Sequence, residues 1–326
     1  VQTCALPILG IFVFLSAYGI TLALKRLYDN GQFDRSNLSG MSARRIWKIL
    51  AGFWPVFILA VLGCALWAPD SFEVYGQGLT RIIHVVLDFL GLADLFGTPT
   101  LIGTWWYLSL AFVEIMLLPL LYYIYRRCGA FLTLSLSVFL PMALSLEMSN
   151  LVRYLPVMVL GIWFAQENLF PRIARWRIPH TGTAATRTVE FALLAVLILG
   201  TVWLKNSDFG QAHENITDSV TPLAVIVFTW LFLTGIPYLR EILAVLGRYS
   251  MNIFLLHNFI RARWFEDFSY SFRFWWLIVL VLLLDNLVLS VAIEWLKKVL
   301  RYNSFVSKIE NVIQAVTIEG NNKGKV

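Results

Sequence analysis

The sequence predicts an all-α protein, a polytopic bundle of transmembrane helices, and two features of its composition lead to this prediction. Of the 326 residues, 59% are hydrophobic and only 14% are charged, whereas a soluble globular protein carries about 25% charged residues. The mean hydropathy is +0.71, and a content of 15% aromatic residues is opposite to that of a disordered chain. The composition therefore excludes both a water-soluble domain and a disordered protein.

Apolar runs give the number and order of the predicted helices. A run of about 17 to 25 residues crosses the roughly 30 Å of hydrocarbon in a bilayer. Nine runs meet this length, and we expect nine spans: 8–24, 49–68, 104–125, 130–148, 151–167, 188–204, 219–238, 242–260 and 274–296. A tenth stretch, 79–97, carries four ionisable residues, and a charge at the centre of a span costs about 2.5 to 3.5 kcal/mol. We expect this stretch to be interfacial or re-entrant.

The positions of the basic residues predict the orientation of these helices. Short cytoplasmic loops of membrane proteins are enriched in Lys and Arg. If the tenth stretch does not span, 20 of the 26 Lys and Arg residues lie in predicted cytoplasmic segments. We therefore expect the C-terminus inside, and three segments outside: 69–103, 205–218 and 261–273. The formal charge of +6 then follows from topology and gives no support to nucleic-acid binding.

We expect one membrane domain, residues 9–300, followed by a polar cytoplasmic tail, residues 301–326. Residues 1–8 resemble the translation of a sequencing-adapter oligonucleotide, and such scars are set aside in fold prediction. The three cysteines are scattered and form no CxxC motif. They predict neither a disulfide framework nor a metal site.

Ionisable residues inside the predicted spans are the first candidates for chemistry, because burial in a membrane is costly and by default marks function. Glu114 and Asp285 lie near the middle of their spans. His257 lies toward the outer end of 242–260, where an imidazole can act as acid or base near neutral pH. The alternative for each is a structural hydrogen bond or ion pair, which Asn286 could supply to Asp285.

Three basic residues are candidates for binding. Arg45 and Lys48 lie three residues apart at the cytoplasmic start of the span 49–68, so on a helix they share a face and can clamp a phosphate or diphosphate. The alternative is the ordinary positive charge of a cytoplasmic helix end. Arg153, at the outer end of its span, could pair with an acid, bind an anionic substrate or extend to the interface.

Four segments, in chain order, match short motifs of one known family. Phe12–Tyr18 resembles a Phe-Phe-x-x-Ser-Gly motif, with Ala17 for the Gly. Arg44–Pro55 resembles a basic span entrance, with Arg45-Ile-Trp-Lys48 for Arg-x-x-Arg. The third segment is Trp106-Tyr-Leu followed by Pro119-Leu-Leu, which is similar to the motif Trp-x-Leu…Pro-Leu-Leu. The fourth is Leu246–His257, which is similar to the motif Gly-x-x-Ser…Tyr-Leu-x-His, with Phe254 in place of the Tyr. The chain thus resembles, from about residue 9 to 300, the integral-membrane acyltransferase type 3 family.

This resemblance implies an enzyme that transfers an acyl group, usually acetyl from cytoplasmic acetyl-CoA, to a hydroxyl of a cell-surface or lipid-linked glycan. It implies a bacterial inner-membrane location, an acyl-CoA co-substrate and no bound cofactor. The partners would be membrane lipid, the glycan acceptor and the acyl-CoA. Arg45 and Lys48 would bind the CoA phosphates, and Arg153 and Trp106 the substrate. The alternative function is a transporter or flippase of a glycan or small anion, although no inverted repeat or pair of broken helices is visible.

The resemblance also implies a catalytic His outside this sequence. Members of the family have ten core spans, and the first carries an Arg and a His with ten residues between them, the His being the proposed base. This chain begins at the second span, so we expect that His upstream of residue 1 and full activity only with the missing span. Glu114, His257 and Asp285 are the catalytic candidates within the sequence. One subgroup carries a Glu at the position of Ala111, one turn before Glu114.

Overall fold

The structure, a computed structural model, describes residues 6–323 except residues 180 and 265, and it does not describe the side chains of 6–8, 269 and 318–323. The first five residues of the adapter-like segment 1–8 lie outside this range. The described residues are helical and contain no strand, as the sequence predicts. Their helices are α1 (Leu6–Asp29), α2 (Arg35–Trp67), α3 (Gly78–Phe89), α4 (Trp106–Ala143), α5 (Asn150–Gln166), α6 (Leu169–Arg175), α7 (Thr183–Lys205), α8 (Asp208–Ala212), α9 (Glu214–Phe228), α10 (Pro237–Phe259), α11 (Glu266–Tyr270), α12 (Trp275–Val299) and α13 (Tyr302–Lys323).

Six helical stretches within the described residues are long and apolar enough to cross a membrane. They are Leu9–Asp29, Arg35–Trp67, Gly103–Ala143, Thr183–Lys205, Glu214–Leu233 and Trp275–Val299. The stretch through α4 contains two of the predicted spans, and Gly129 separates them with φ 80° and ψ 173°, a conformation that suits only glycine. The predicted spans 151–167 and 242–260 are helical as α5 and α10. The apolar helices agree with a membrane protein, and the count of nine spans stays a prediction.

The chain divides into two compact units, and the single membrane domain 9–300 stays a prediction. The first unit comprises Val1–Asp34 and Val113–Arg240, and the second comprises Arg35–Phe112 and Glu241–Val326. Each unit is therefore assembled from two separate parts of the chain. The units are described one at a time below.

In the first unit, α1 packs closely against α5. A Cβ added to Gly161 of α5 would lie 2.7 Å from the Ala17 Cβ and 2.9 Å from the Phe14 carbonyl oxygen of α1. Lys25, near the end of α1, donates a hydrogen bond to the carbonyl of Gln166, the last residue of α5 (3.1 Å). The helices therefore run parallel, and small residues let their backbones approach as in other membrane helix pairs. The predicted orientation requires this parallel arrangement, because both runs lead from outside to inside.

In the second unit, α2 and α10 also run parallel. The Met251 side chain packs at Gly52, and the Trp264 ring packs at Gly63, so both contacts advance in the same direction along the chain. Trp105 lies in the core between these helices and is 1% exposed. Its indole Nε1 donates to the Leu255 carbonyl (3.1 Å).

The segment 79–97 runs back alongside α2. Its helix α3 has 12 residues, about 18 Å at 1.5 Å per residue, which is shorter than the bilayer core. Phe89 at the end of α3 stacks on Trp54 of α2, and the Trp54 Nε1 donates to the Phe89 carbonyl (3.0 Å). Trp54 lies about 20 Å along α2 from its last residue, Trp67. Of the two arrangements predicted for 79–97, interfacial and re-entrant, this path along α2 favours the re-entrant one.

A buried carboxylate fastens the two ends of this returning segment. Asp88 is 1% exposed, and its Oδ2 accepts hydrogen bonds from the Tyr75 hydroxyl (2.5 Å) and the Leu101 backbone N–H (2.7 Å). Burial raises the pKa of Asp88 to about 6 despite these two donors, which favour the charged form. Burial beside Asp88 also raises the pKa of Tyr75, so the phenol remains a donor.

This carboxylate predicts a pH-dependent stability. The pKa of Asp88 is raised from 3.8 to about 6, so the folded state holds the proton more tightly than the unfolded state. The contribution of Asp88 to the free energy of unfolding is fully present below about pH 4 and is lost as the pH rises through 6. The loss is about 3 kcal/mol. Asp88→Asn has no charge to acquire at this position. Raising the pH from about 4.5 to 7 should therefore lower its melting temperature less than that of the wild type. Melting of the detergent-solubilised proteins measures this, with exposed Asp70→Asn as the control; parallel melting curves for Asp88→Asn and wild type would contradict it.

Candidate functional site

The predicted polar tail, 301–326, contains a helix that packs on the N-terminal half of α2. Trp47 Nε1 of α2 donates to the Val306 carbonyl of α13 (3.1 Å), and the Ser36 Oγ donates to the Thr317 carbonyl (2.9 Å). The two helices therefore run antiparallel. This contact places α13 along the turn of α2 that carries the predicted phosphate-binding residues.

Lys48 forms an ion pair with Glu310 of α13, with 2.8 Å between Nζ and Oε1. The Lys48 side chain nevertheless remains 60% exposed. Arg45 lies one turn earlier on α2 and is partly exposed, so the structure places the two predicted cations on one helix as expected. A carboxylate of the same protein already contacts the group that we predict to bind a CoA phosphate. The binding role of both residues stays a prediction.

His257 lies near the end of α10 and is partly buried. Its Nδ1 is 2.6 Å from the Phe254 carbonyl oxygen. Because a carbonyl can only accept, the neutral ring carries its proton on Nδ1 and leaves the Nε2 lone pair able to take up a proton. This is the protonation state that a general base requires.

Asp285 lies on α12 and faces an apolar crevice of about 490 Å³ lined by Phe268, Val288 and Leu289. Its Oδ2 is inaccessible to water and has no hydrogen-bond partner among the described residues. Asn286 does not satisfy it, since the Asn286 Nδ2 donates to the Leu282 carbonyl (2.7 Å). The structural alternative suggested by the sequence, a bond between these neighbours, is therefore not present.

Glu114 and Trp106 lie at different depths of α4. Glu114 is completely buried, which is a costly position for a carboxylate on a membrane helix. Trp106 is partly exposed at the first turn, with its ring edge-on to Tyr107 (6.3 Å between centroids). Neither position reveals its chemistry, and the catalytic and substrate-binding roles of these residues stay predictions.

Arg153 belongs to a charged cluster in the first unit. Its Nε contacts the Asp218 Oδ2 (2.5 Å), and it also forms an ion pair with Glu214. Lys205, the last residue of α7, forms an ion pair with the other oxygen of Asp218. The Asp218 side chain is only 1% exposed. Of the three sequence alternatives for Arg153, pairing with acids is the one that its contacts show.

A comparison with known families identifies the chain. The model of the acyltransferase type 3 family, described as an acyltransferase domain, matches residues 3–295. The chain belongs to this acyltransferase family. No curated protein and no solved structure matches it significantly. Together with the apolar helices, the match makes the protein a membrane acyltransferase, as the four motifs predict.

The family match covers the predicted site residues of this acyltransferase but not the helix that contacts Lys48. All seven, from Arg45 to Asp285, lie within residues 3–295, whereas α13 lies beyond residue 295. Glu310 therefore lies outside the part of the chain that the family model matches.

The acidic partners of Arg153 and the Lys205 contact were not predicted from the sequence. Lys205 ends α7, and Asp218 lies in the first turns of α9, after a short connection. A short connection between antiparallel spans places the end of one helix beside the start of the next. This geometry could have indicated that Lys205 and Asp218 face each other.

Proposed function

We propose that this acyltransferase moves an acyl group, acetyl in the main case, from cytoplasmic acyl-CoA to a hydroxyl of a cell-surface or lipid-linked glycan. The observation that carries the proposal is the family match over residues 3–295. In the reaction a base takes the proton of the acceptor hydroxyl, and the oxygen attacks the thioester carbonyl. The carbon–oxygen bond forms, the carbon–sulfur bond breaks, and the CoA thiolate receives the proton.

The donor would bind at the basic turn of α2. Arg45 and Lys48 supply two cations on one helix face, and charge-assisted hydrogen bonds to phosphate are among the strongest that proteins make. The partly exposed Arg45 and the largely exposed Lys48 side chains leave room for a ligand from solution. The thioester end of the bound donor would then extend along α2 toward the C-terminal end of that helix.

His257 is suited to act as a base on that path. Lys48 precedes Gly52 by four residues, and His257 follows Met251 by six. Since Met251 packs at Gly52 and the helices are parallel, Lys48 and His257 are separated by about ten residues, or ~15 Å along the helix axes. The family resemblance instead assigns the base to a different His. A His257→Gln variant of the full-length protein, assayed for transfer, separates the two assignments.

Acyl transfer is tested by following the CoA thiol released by the purified full-length protein in proteoliposomes. A thiol reagent should report release from acetyl-CoA that depends on an added envelope glycan fraction. Equal release with and without the glycan fraction would contradict transfer to such an acceptor. Movement of labelled glycan across the proteoliposome membrane without thiol release would favour the transporter or flippase instead.

The Glu310 contact predicts a variant with better donor binding. Glu310→Gln removes the carboxylate that competes with phosphate for Lys48, at the cost of an exposed ion pair worth about 0.2 to 1 kcal/mol. The apparent KM for acetyl-CoA should therefore fall, by up to about fivefold, with kcat little changed. Glu266→Gln, an exposed carboxylate after the far end of α10, is the matched control. A KM for Glu310→Gln equal to that of this control would contradict the competition.

A further inference from the structure

A second polar site lies at the other end of α2. There a cavity of about 670 Å³ is bounded by the C-terminal end of α2, the turn after it and the π-helical turn Ile260–Trp264 that follows α10. This volume is within the usual range for small-ligand sites. Trp67 at the cavity lies 19 residues beyond Lys48, about 28 Å along α2. The cavity is therefore separate from the basic turn.

Two arginines line this cavity. Arg263 donates a hydrogen bond to the Ser71 hydroxyl. The Arg261 Nε is inaccessible to water and has no hydrogen-bond partner in the part of the chain that the structure describes. A buried donor without an acceptor is costly. The same guanidinium lines the cavity, and an anionic ligand that draws the Arg261 side chain toward it would give this donor its acceptor.

The positive charge of these arginines is only partly offset by the acid in the lining. Asp70 also lines the cavity, but it forms no ion pair with Arg261 or Arg263 among the described residues. Asn252 of α10 bonds Glu294 of α12 (3.0 Å), and this antiparallel register brings Asp285 to the level of Arg261 without an ion pair between them. The three ionisable groups of the lining therefore carry a net charge of +1, which favours an anion.

The rest of the lining suits a sugar. The Trp67 side chain at the cavity is 62% exposed and offers a flat apolar face. Asn258 supplies an amide, which can both donate to and accept from neighbouring hydroxyls. Arginine forks match carboxylate and phosphate groups in two-point contacts.

We infer that this cavity binds an anionic sugar residue, a hexuronate or a sugar phosphate. Arg261 and Arg263 hold the anionic group, and the Asn258 amide binds a hydroxyl of the sugar. Calling this sugar part of the acceptor rests on the proposed function. The basic turn of α2 and the cavity at the C-terminal end of this helix would then hold the donor phosphates and the acceptor about 28 Å apart along one membrane helix.

Direct binding to the purified full-length protein in an uncharged detergent tests the inference, with no acyl donor present. Isothermal titration should detect glucuronate and glucose 1-phosphate, with glucose at least tenfold weaker. Arg261→Gln should weaken both anionic ligands at least tenfold. The matched control is Arg273→Gln, an exposed arginine before α12 that does not line the cavity, and it should bind like the wild type.

A second variant has the opposite expected sign and covers the case in which Arg261→Gln does not fold. Asp70→Asn removes the negative charge from the lining and should strengthen the binding of both anionic sugars. Glycerol 1-phosphate distinguishes a sugar site from a site for lipid headgroups, and it should bind at least tenfold more weakly than glucose 1-phosphate. Glucose binding as tightly as glucuronate, glycerol 1-phosphate matching glucose 1-phosphate, or weaker binding by Asp70→Asn would overturn the inference.

The binding result is independent of the transfer result. If anionic sugars bind with the expected variant pattern but no acyl transfer is detected, the cavity assignment holds and the proposed function fails. If transfer occurs but none of the anionic sugars binds, the proposed function holds and the cavity assignment fails.

Discussion

Replacing Arg45 and Lys48 together by Ala should raise the KM for acetyl-CoA of the full-length protein by about a hundredfold or more. A charge-assisted contact with a phosphate contributes roughly 1.5 to 3 kcal/mol, which is about ten- to a hundredfold for each cation. We expect kcat at saturating acetyl-CoA to change little, because these contacts hold the CoA phosphates equally before and during the reaction. Initial rates in proteoliposomes across a range of acetyl-CoA concentrations measure the effect.

The neighbouring Arg44 provides the matched control. Its Nε donates to the Gly40 carbonyl of its own helix (3.2 Å), and it lies beside Arg45 in sequence but about 100° away around the helix. Arg44→Ala removes the same charge from the same turn and should leave KM within about twofold. Equal effects of Arg44→Ala and Arg45→Ala, or an unchanged KM in the double variant, would mean that the basic turn serves topology alone.

Replacing Asp218 by Asn should strongly destabilise the first unit. Asp218 is 1% exposed and lies between Arg153 and Lys205, whose side chains are 13% and 12% exposed. Removing one member of a buried ion cluster leaves an uncompensated charge and typically costs about 3 to 5 kcal/mol. The melting temperature in detergent should therefore fall by several degrees at least, and the yield of monodisperse protein should fall with it.

The surface pair Arg172–Glu167 gives the comparison for this prediction. Its atoms are 3.2 Å apart, but its side chains are 65% and 39% exposed, and such pairs contribute little. Glu167→Gln should leave the melting temperature nearly unchanged. The double variant Lys205→Gln, Asp218→Asn should lose less stability than the two single variants together. The Lys205 change removes one of the positive charges that Asp218→Asn leaves unpaired. An equal fall in melting temperature for Asp218→Asn and Glu167→Gln would contradict a stabilising role for the buried ion cluster.

Hydropathy predicted the helices well because a membrane requires long uninterrupted apolar runs. It left α13 as a polar tail, since that segment has no such run. The signal was nevertheless present: Phe305, Val306, Ile309 and Val312 recur at the three- and four-residue spacing of one helix face. Contact with α2 buries part of that face.

The candidate site was predictable in part. The spacing of Arg45 and Lys48 gave a shared helix face, but nothing in the spacing indicates that Glu310, 262 residues away from Lys48 in sequence, would contact it. The sequence also identified His257 without its protonation state, which depends on the Phe254 carbonyl three residues earlier. The cavity beside Arg261 was missed because it joins two segments far apart in the chain, and a single sequence does not show which loops meet.

Transfer of label from [¹⁴C]acetyl-CoA tests the central claim most directly. Membranes that contain the full-length protein should incorporate radiolabel into a glycan fraction, and mild alkali should release it as acetate because the product is an ester. Membranes with the Arg45→Ala and Lys48→Ala double variant should incorporate far less at low acetyl-CoA and should recover at high acetyl-CoA. Incorporation no greater than in membranes without the protein would contradict the assignment as an acyl-CoA-dependent O-acyltransferase.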